Sequence, residues 1–339
     1  MSVKIEFGYP FSGYARLDFT NCFASTYMCL EGYDGTEDCY CGAKLKVCDS
    51  CGDCKASLAK KQEELFFYFG TMTGRNALRA GFDGPTRMQQ LLNDTDESID
   101  MTMKIAGYTY KKVVNDFRKA IRESINIGQP VLARITDTGK GNFRVINGYD
   151  GDTLICPEPT GAQHRPDGPP SLDEIGEVYV ITGKTLPLDM RECFKWIVRV
   201  MECNRDNAVW DDCIRHFDYW KDLAKADLGE IRRRFKRISD IMWYTFNCHN
   251  FAETFRRELF HRIEDTTLRD LLYRQIDMAY DSTHNTAWQV IALNDCRDWS
   301  KRRYHELEWG MCGSVINCLQ TLKRNDEIVL ETMKEAVHM

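Results

Sequence analysis

The sequence lacks three features that would assign it to a membrane or to a nucleic acid. It has no apolar run approaching the roughly 18 residues that a membrane-spanning helix needs. Its first residues, Met-Ser-Val-Lys-Ile-Glu-Phe, contain no signal-peptide apolar core. The formal net charge is −6 at pH 7, so no global field attracts nucleic acid or an anionic membrane. We therefore expect a cytoplasmic protein with neither a membrane nor a nucleic acid as its partner.

Residues 188–339 lack proline and nearly lack glycine. All 9 prolines lie between Pro10 and Pro187, and only three of the 23 glycines follow residue 187. Turns need these residues, so their distribution predicts two domains. Residues 1–187 are expected to form an α+β domain, and residues 188–339 an all-α helical domain. The 339 residues are enough for two domains of ordinary size.

Local patterns in residues 1–187 predict helices first and an antiparallel sheet last. An apolar helical pattern starts near residue 22, and an amphipathic helix is expected over Phe117–Asn126. The segment Tyr149-Asp150-Gly151-Asp152 is a hairpin signal between two strands. The predicted strands are Tyr108–Val113, Val131–Thr136, Phe143–Tyr149, Thr153–Cys156 and Val178–Thr182. The predicted helices of the second domain span residues 189–204, 207–225, 228–247, 249–263, 266–283, 285–308 and 311–336.

Five of the 15 cysteines fall close together, in an insertion at 36–56. They are Cys39, Cys41, Cys48, Cys51 and Cys54, and the last three have CxxCxxC spacing. A tight loop with Gly52 would aim three thiolates at one point, and Cys39 or Cys41 would complete a tetrahedral zinc site. The same spacing suits a four-iron, four-sulfur cluster, or thiols or disulfides without a metal. In a reducing compartment, thiols and metal ligands are commoner than disulfides.

Another cysteine, Cys22, stands at the predicted start of a helix, in Thr20-Asn21-Cys22-Phe23-Ala24-Ser25. Asn21 is expected to be the N-cap, because its side-chain oxygen can accept from the first unpaired helix amides. Cys22 would then lie in the first turn, where the helix dipole and unpaired N–H groups favour a thiolate. A thiolate there is a nucleophile. The alternative is a small apolar residue that begins a buried helix.

Short segments of the chain resemble the papain-like cysteine peptidases that remove leader peptides from bacteriocins. The resemblance is closer to relatives typified by the N-terminal domain of the butirosin-pathway acyltransferase. The segments are Asn21-Cys22-Phe23-Ala24, Gly128-Gln129-Pro130-Val131-Leu132, Val145-Ile146-Asn147-Gly148-Tyr149-Asp150 and Glu158-Pro159. Residues 250–259 are similar to a helix that accompanies that family. The resemblance implies a papain-like fold for the first domain, followed by a helical domain, with chemistry at Cys22.

The sequence departs from that family's pattern where the catalytic base belongs. The resemblance implies a histidine six residues before Gly148, and this position is Asn142. An amide cannot take a proton at neutral pH, so Asn142 cannot replace the histidine. The resemblance places the third catalytic member at Glu158. It places the oxyanion donor, six residues before the nucleophile, at Arg16.

Arg144 indicates how Cys22 would act without that histidine. A cation near the sulfur would favour a thiolate, although it would not supply a base. Such a thiolate could attack a thioester or another activated acyl group, because a good leaving group reduces the need for a base. Alternatively, Arg16 and Arg144 would form an anion-binding corner at the helix N-terminus. His164 and His249 are the candidates for a base from elsewhere in the chain.

Two main functional hypotheses follow, and the sequence leaves open whether the chain is an enzyme. The first is a thiol-dependent acyl transferase, or amide or thioester hydrolase, that acts on a small molecule or peptide through Cys22. The second is a catalytically inactive papain-like pseudoenzyme that binds a peptide or an anionic ligand. Peptidase activity is least favoured, because the histidine is missing. The expected partner is a small-molecule or peptide substrate, and a homo-oligomer remains open.

Overall fold

The computed structural model describes residues 2–11, 18–33, 52–83, 95–136, 142–158, 168–218, 228–246, 263–295 and 309–339. It divides the chain into two compact units. The first comprises Met1–Gly70 and Asp94–Leu188, and the second comprises Thr71–Asn93 and Asp189–Met339. Residues 71–93 therefore belong to the second unit. The expected α+β class, with antiparallel sheets and a helical C-terminal region, is confirmed.

Helices and strands of the first unit begin and end at local signals. The helices are α1 (Phe19–Leu30), α2 (Gly52–Met72), α3 (Asp96–Ala106) and α4 (Phe117–Asn126). The strands are β1 (Ser2–Lys4), β2 (Tyr108–Val113), β3 (Val131–Ile135), β4 (Phe143–Ile146), β5 (Gly148–Asp150), β6 (Thr153–Ile155) and β7 (Ile175–Lys184). Helix α3 is typical: the Thr95 hydroxyl accepts the Ser98 N–H, and Gly107 ends the helix at φ 74°. The bounds of α4 and β2 are those that the sequence predicts.

The strands form two antiparallel sheets, with the orders β2-β7-β3-β4 and β1-β5-β6. The predicted strand Phe143–Tyr149 is in fact two strands, because Asn147 interrupts it. The Asn147 side-chain amide donates to the Ile5 carbonyl at 3.1 Å. Gly148 then begins β5, where a Cβ would lie 2.6 Å from a carbonyl oxygen of β1. The predicted hairpin between β5 and β6 is confirmed, with Gly151 at φ 56°.

The four-stranded sheet separates two packed layers. Successive residues of a strand point to opposite faces, and residues opposite each other on neighbouring strands point to the same face. The rings of Phe143 and Tyr179 point to the face on which α1 packs, and both contact Phe19. Ala133 and Ile146 point to the other face, where α4 contributes to the same apolar cluster. The position of a residue along β4 therefore decides which layer its side chain joins.

The described second unit is helical. Its helices are α5 (Met190–Asp206), α6 (Val209–Asp218), α7 (Leu228–Phe246), α8 (Thr266–Leu271), α9 (Met278–Asp295) and α10 (Trp309–His338). Helix α7 buries Phe235, Ile238, Ile241 and Met242, which have the spacing of one helix face. Within the described parts of the chain, no helix has both the length and the apolar character needed to cross a membrane.

Helix α9 runs through the boundary that the sequence predicts near residue 284, so that prediction is wrong. Ser282 and Thr283, polar residues near this boundary, lie within α9 and contact α10. The side-chain amide of Asn325 donates to the hydroxyls of Ser282 and Thr283, at 3.0 and 3.1 Å. A π-helical segment, Leu272–Asp277, joins α8 to α9.

Candidate functional site

Helix α1 positions Cys22, but it begins earlier than the sequence predicts. Asp18, and not Asn21, is the N-cap, and its carboxylate accepts the Asn21 N–H at 2.8 Å. Cys22 is the fourth helical residue, and its own N–H donates to the Asp18 carbonyl at 3.1 Å. The expected N-cap is therefore wrong, and Cys22 lies three residues further into the helix than the sequence predicts.

Cys22 belongs to a buried polar side of α1. Ser25 and Thr26 follow it by three and four residues, so they share its side of the helix. Asp18 precedes it by four residues and shares that side as well. All four side chains are at most 1% exposed. We call Asp18, Cys22, Ser25 and Thr26 the α1 polar face.

Two hydroxyls of the α1 polar face have unused hydrogen-bonding capacity. Among the described residues, Ser25 Oγ and Thr26 Oγ1 have no hydrogen-bond partner. Other helical threonines differ: the Thr102 hydroxyl donates to the Ser98 carbonyl, four residues earlier, at 2.8 Å. The same kind of bond is made by Thr245, Thr321 and Thr332. A buried polar atom without a partner costs about 1–3 kcal/mol, so each of these hydroxyls would be stabilised by a polar partner.

Gln62 of α2 adds a third polar atom near Cys22. Its side-chain nitrogen donates to the backbone carbonyl of Asn21 at 3.2 Å and to the Asn21 side-chain oxygen at 2.7 Å. Its own oxygen, Oε1, has no partner in the described part of the chain. The cluster thus offers one acceptor and two hydroxyls that can donate or accept. Sequence reasoning missed Gln62, because its contact depends on how α2 packs on α1.

The sheet face that packs on α1 carries a cation that sequence reasoning also missed. The Arg134 guanidinium lies 4.8 Å from the Phe143 ring centroid. It donates to Glu177 at 2.6 Å and to the Tyr179 hydroxyl at 3.2 Å. Burial acts to raise the pKa of Glu177, but hydrogen bonds from Lys112, Tyr179 and Arg134 lower it to about 2. The carboxylate therefore balances the charge of Arg134.

Arg144 lies on the opposite face of the sheet from α1. It is paired with Ala133 across β3 and β4, so its side chain points to the side of α4. Its Nη1 donates to the Gly168 carbonyl at 3.1 Å, and its guanidinium lies close enough to Cys156 to act against the rise in the pKa of that thiol. The structure thus does not bring Arg144 to the α1 polar face, because a one-residue step along β4 reverses the face. Arg16, the other half of the expected anion-binding corner, lies outside the described residues.

The remaining residues of the expected catalytic set stay predictions. Asn142 precedes β4, and its backbone carbonyl accepts the Ile135 N–H at 2.9 Å. The next residue, Phe143, is the one whose ring packs on α1. Glu158 is exposed, three residues after the end of β6. The described histidines, His216, His284 and His338, all belong to the second unit, whereas His164 and His249 lie outside the described residues.

The cysteine cluster falls mostly outside the described residues. This holds for Cys39, Cys41, Cys48 and Cys51. Helix α2 begins at Gly52, so the backbone of Cys54 is helical and does not continue the loop that the spacing suggests. The zinc site, the iron–sulfur alternative and the metal-free alternative therefore all stay predictions.

The second unit contains another group of possible metal ligands. One ligand atom from each of Asp83, Asp212 and His216 lies within 4.8 Å of the others. Asp212 Oδ2 accepts the N–H groups of Phe82 and Asp83, at 2.5 and 3.3 Å. Its Oδ1 accepts from Arg215 at 2.9 Å. These bonds occupy both oxygens of Asp212, so the group has a structural explanation that requires no metal.

The chain matches no known family model and no curated protein. The papain-like resemblance therefore rests on the short segments quoted above, and the candidate site rests on the geometry of α1. Within the described residues, that geometry is a buried thiol accompanied by two hydroxyls and one amide oxygen.

Proposed function

We propose that the first unit is a papain-like domain that binds an uncharged polar ligand at the α1 polar face without base-assisted catalysis. The observation that carries this proposal is the pair of buried hydroxyls, Ser25 and Thr26, that have no partner among the described residues. The Oε1 atom of Gln62 adds an acceptor near the start of the same helix. A carboxamide, which both donates and accepts hydrogen bonds, suits this set of atoms. A peptide bond is the commonest source of such a group.

Charge favours an uncharged ligand. The charged member of the α1 polar face is Asp18, a carboxylate that would repel an anion. On the sheet face that packs on α1, Arg134 is already balanced by Glu177. Arg144 points away from this face. Among the described residues of this face, an anionic ligand would therefore meet a like charge and no uncommitted cation.

The missing base argues against peptidase chemistry. Amide hydrolysis by a cysteine needs a group that takes and returns a proton. The residue at the expected position is Asn142, and the described part of the first unit contains no histidine.

Binding is tested by NMR titration of the full chain with N-acetylglycinamide, an uncharged probe that carries amide groups. Wild-type protein should show saturable shifts. Thr26→Val should weaken binding at least about tenfold, which corresponds to the loss of one hydrogen bond of about 1.4 kcal/mol. The matched control is Thr102→Val, which should bind like wild type because the Thr102 hydroxyl is used within its own helix.

Three results would overturn this proposal. The first is equal binding of the probe by Thr26→Val and wild type, and the second is no binding by wild type. The third is that acetate, used as the charged comparison, binds better than the amide and responds to the same Thr26→Val change. Each result would remove the link between the unpartnered hydroxyls and an uncharged ligand.

A second candidate function, thiol-dependent acyl transfer, is favoured by the position of the same hydroxyls. Hydroxyl donors beside a cysteine sulfur can stabilise the oxyanion of a tetrahedral intermediate. The Cys22 sulfur would attack the carbonyl carbon of a thioester and form a new thioester. The donor thiol would leave with the proton that Cys22 loses, and an amine would then take the acyl group. A thiol is a good leaving group, so this step depends less on a histidine.

Intact-mass measurement after incubation with S-acetyl-N-acetylcysteamine separates the two functions. An acetyl adduct that peptide mapping assigns to Cys22, and that Cys22→Ala lacks, supports acyl transfer. Mapping is needed because the chain has 15 cysteines. If Cys22 gains no adduct while Cys22→Ala still binds the amide probe, the binding function is supported.

A further inference from the structure

Arg144 is a buried arginine that has only neutral partners among the described residues. Arg144 is only 4% exposed. Its Nη1 donates to the Gly168 carbonyl, its guanidinium lies near the Cys156 thiol, and it forms no ion pair with a described carboxylate. An uncompensated buried charge is costly, so native proteins almost always pair it with a counter-ion. Within the part of the chain that the structure describes, Arg144 therefore lacks the counter-ion that its burial demands.

Another buried arginine, Arg79 of the second unit, shows the usual solution. Its Nε and Nη2 atoms donate to the two carboxylate oxygens of Asp326, at 2.9 and 2.8 Å. The Asp326 side chain is 14% exposed, and Trp210 donates a further hydrogen bond to it. The planar guanidinium of Arg79 thus pairs with two carboxylate oxygens. Among the described residues, the guanidinium of Arg144 has no such pair of oxygens.

The place of Arg144 in the fold puts it close to the protein surface. Strand β4 is an edge strand of the four-stranded sheet, so Arg144 lies at the sheet margin. Its two neighbours reach solvent there: Gly168 is exposed and Cys156 is partly exposed. On the inner side, Ile146 and Ala133 belong to a buried apolar cluster. An ion at this margin would have a low-dielectric wall on one side, which strengthens its attraction to the guanidinium.

Cys156 does not serve as the counter-ion. Burial raises the pKa of its thiol to about 11, although Arg144 acts to lower it. The sulfur is therefore a neutral thiol at pH 7. The charge of Arg144 remains unbalanced within the described part of the first unit.

We propose that Arg144 anchors an oxyanion-binding site, bordered by Cys156 and Gly168, that takes the carboxylate or phosphate group of a small ligand. Both groups present two oxygens to the planar guanidinium fork, which is the shared chemistry of the site. The site lies on the opposite face of the sheet from the α1 polar face. It is therefore independent of the function proposed above, and either proposal can fail alone.

Isothermal titration of the full chain with inorganic phosphate and with succinate tests the site, at constant ionic strength maintained with sodium chloride. Saturable binding of phosphate alone, of succinate alone or of both supports the site and identifies the oxyanion. Arg144→Gln should weaken binding at least about tenfold, because a charge-assisted pair is lost. The matched control, Arg134→Gln, removes an arginine that Glu177 already balances, and it should bind like wild type. Saturable binding of neither anion, or equal binding by Arg144→Gln and wild type, overturns the proposal.

Asp167 precedes Gly168 in the sequence and lies outside the described residues, so it is tested separately. If the chain supplied its own counter-ion from this position, only Asp167→Asn would bind phosphate or succinate, and wild type would not. That result overturns the proposal. Binding by wild type that Asp167→Asn retains supports it.

A chemical readout on wild-type protein covers the case in which Arg144→Gln fails to fold. N-ethylmaleimide modification of Cys156 is followed by peptide mass spectrometry, with the exposed Cys203 of the second unit as an internal reference. The bound oxyanion should slow modification of Cys156 several-fold and leave the rate at Cys203 unchanged. Equal effects on the two cysteines contradict a site at Arg144.

Discussion

The two faces of the four-stranded sheet differ in how their charged groups are balanced. On the face that packs on α1, Arg134 is balanced by Glu177, and the unpartnered atoms are uncharged hydroxyls on the helix. On the face of α4, Arg144 points to the side of an apolar cluster, and its described neighbours Gly168 and Cys156 are neutral. Among the described residues, charge is thus balanced on one face and unbalanced on the other. This difference is why we assign an uncharged ligand to the first face and an oxyanion to the second.

The largest difference is expected when each arginine is replaced by methionine. Arg134→Met should destabilise the first unit by about 1–2 kcal/mol, because it leaves the Glu177 carboxylate without one of its cations. The loss is smaller than for a fully buried pair, because Lys112 still contacts Glu177. Arg144→Met should be neutral or stabilising by up to about 1 kcal/mol, because it removes an unbalanced buried charge.

Urea denaturation followed by circular dichroism, in a buffer without phosphate or carboxylate, measures both changes in the free energy of unfolding. Equal destabilisation by the two substitutions would mean that the chain itself balances Arg144. The contrast between the two faces would then disappear.

Acid should weaken the Arg134 side of the sheet and leave the Arg144 side unaffected. The pKa of Glu177 falls from 4.5 to about 2 in the folded protein, where burial opposes the shift and its hydrogen bonds cause it. Because the folded pKa is depressed, the stabilisation is present above about pH 4.5 and is lost as the pH falls toward 2. Over this range the unfolded state binds more protons, so the free energy of unfolding should fall by at most about 1.4 kcal/mol per pH unit from this group.

Urea denaturation between pH 2.5 and 5 measures this pH dependence. Glu177→Gln should flatten it, whereas Arg144→Gln should not alter the slope. A control, Glu123→Gln, removes an exposed carboxylate of α4 and should also leave most of the slope unchanged. If Glu177→Gln keeps the wild-type slope, the Glu177 carboxylate does not balance the charge of Arg134.

The fold was predictable from the sequence where its signals are local. The ends of α4 and β2 follow from amphipathic spacing and alternation, and Gly151 marks the hairpin between β5 and β6. The start of α1 was not predictable, because Asp18 and Asn21 are both good N-cap residues and the backbone conformation determines which one caps the helix. Local sequence does not determine which of two N-cap candidates, three residues apart, begins the helix.

The candidate site was predictable only in part. Helical spacing alone puts Ser25 and Thr26 beside Cys22 once the helix is placed. The contact of Gln62 with Asn21 spans 41 positions and depends on how two helices pack. The face of Arg144 depends on the register between β3 and β4, and on which helix covers which face. Tertiary packing therefore determines which polar and charged side chains lie at both proposed sites. No local sequence pattern predicts this packing.

The smallest predicted difference concerns two buried threonines of the first unit, Thr26 in α1 and Thr102 in α3. Each is 0% exposed, so replacement by valine changes a hydroxyl to a methyl group in a similar environment. Thr102→Val loses the bond to the Ser98 carbonyl and should cost about 1 kcal/mol. Thr26→Val removes an atom that has no partner among the described residues. It should be neutral or stabilise the first unit by at most about 0.5 kcal/mol.

Helix propensity is nearly equal for threonine and valine, so it cancels in this comparison. Hydrogen exchange of the α1 and α3 amides, measured without added ligand, reports the two changes separately. If Thr26→Val destabilises the first unit as much as Thr102→Val does, the Thr26 hydroxyl has a partner within the chain. The α1 polar face would then have no unused bonding capacity, and the proposed amide site would lose its physical basis. Opposite signs for the two threonines would instead show that α1 keeps a buried hydroxyl available at a cost in stability, as a binding site requires.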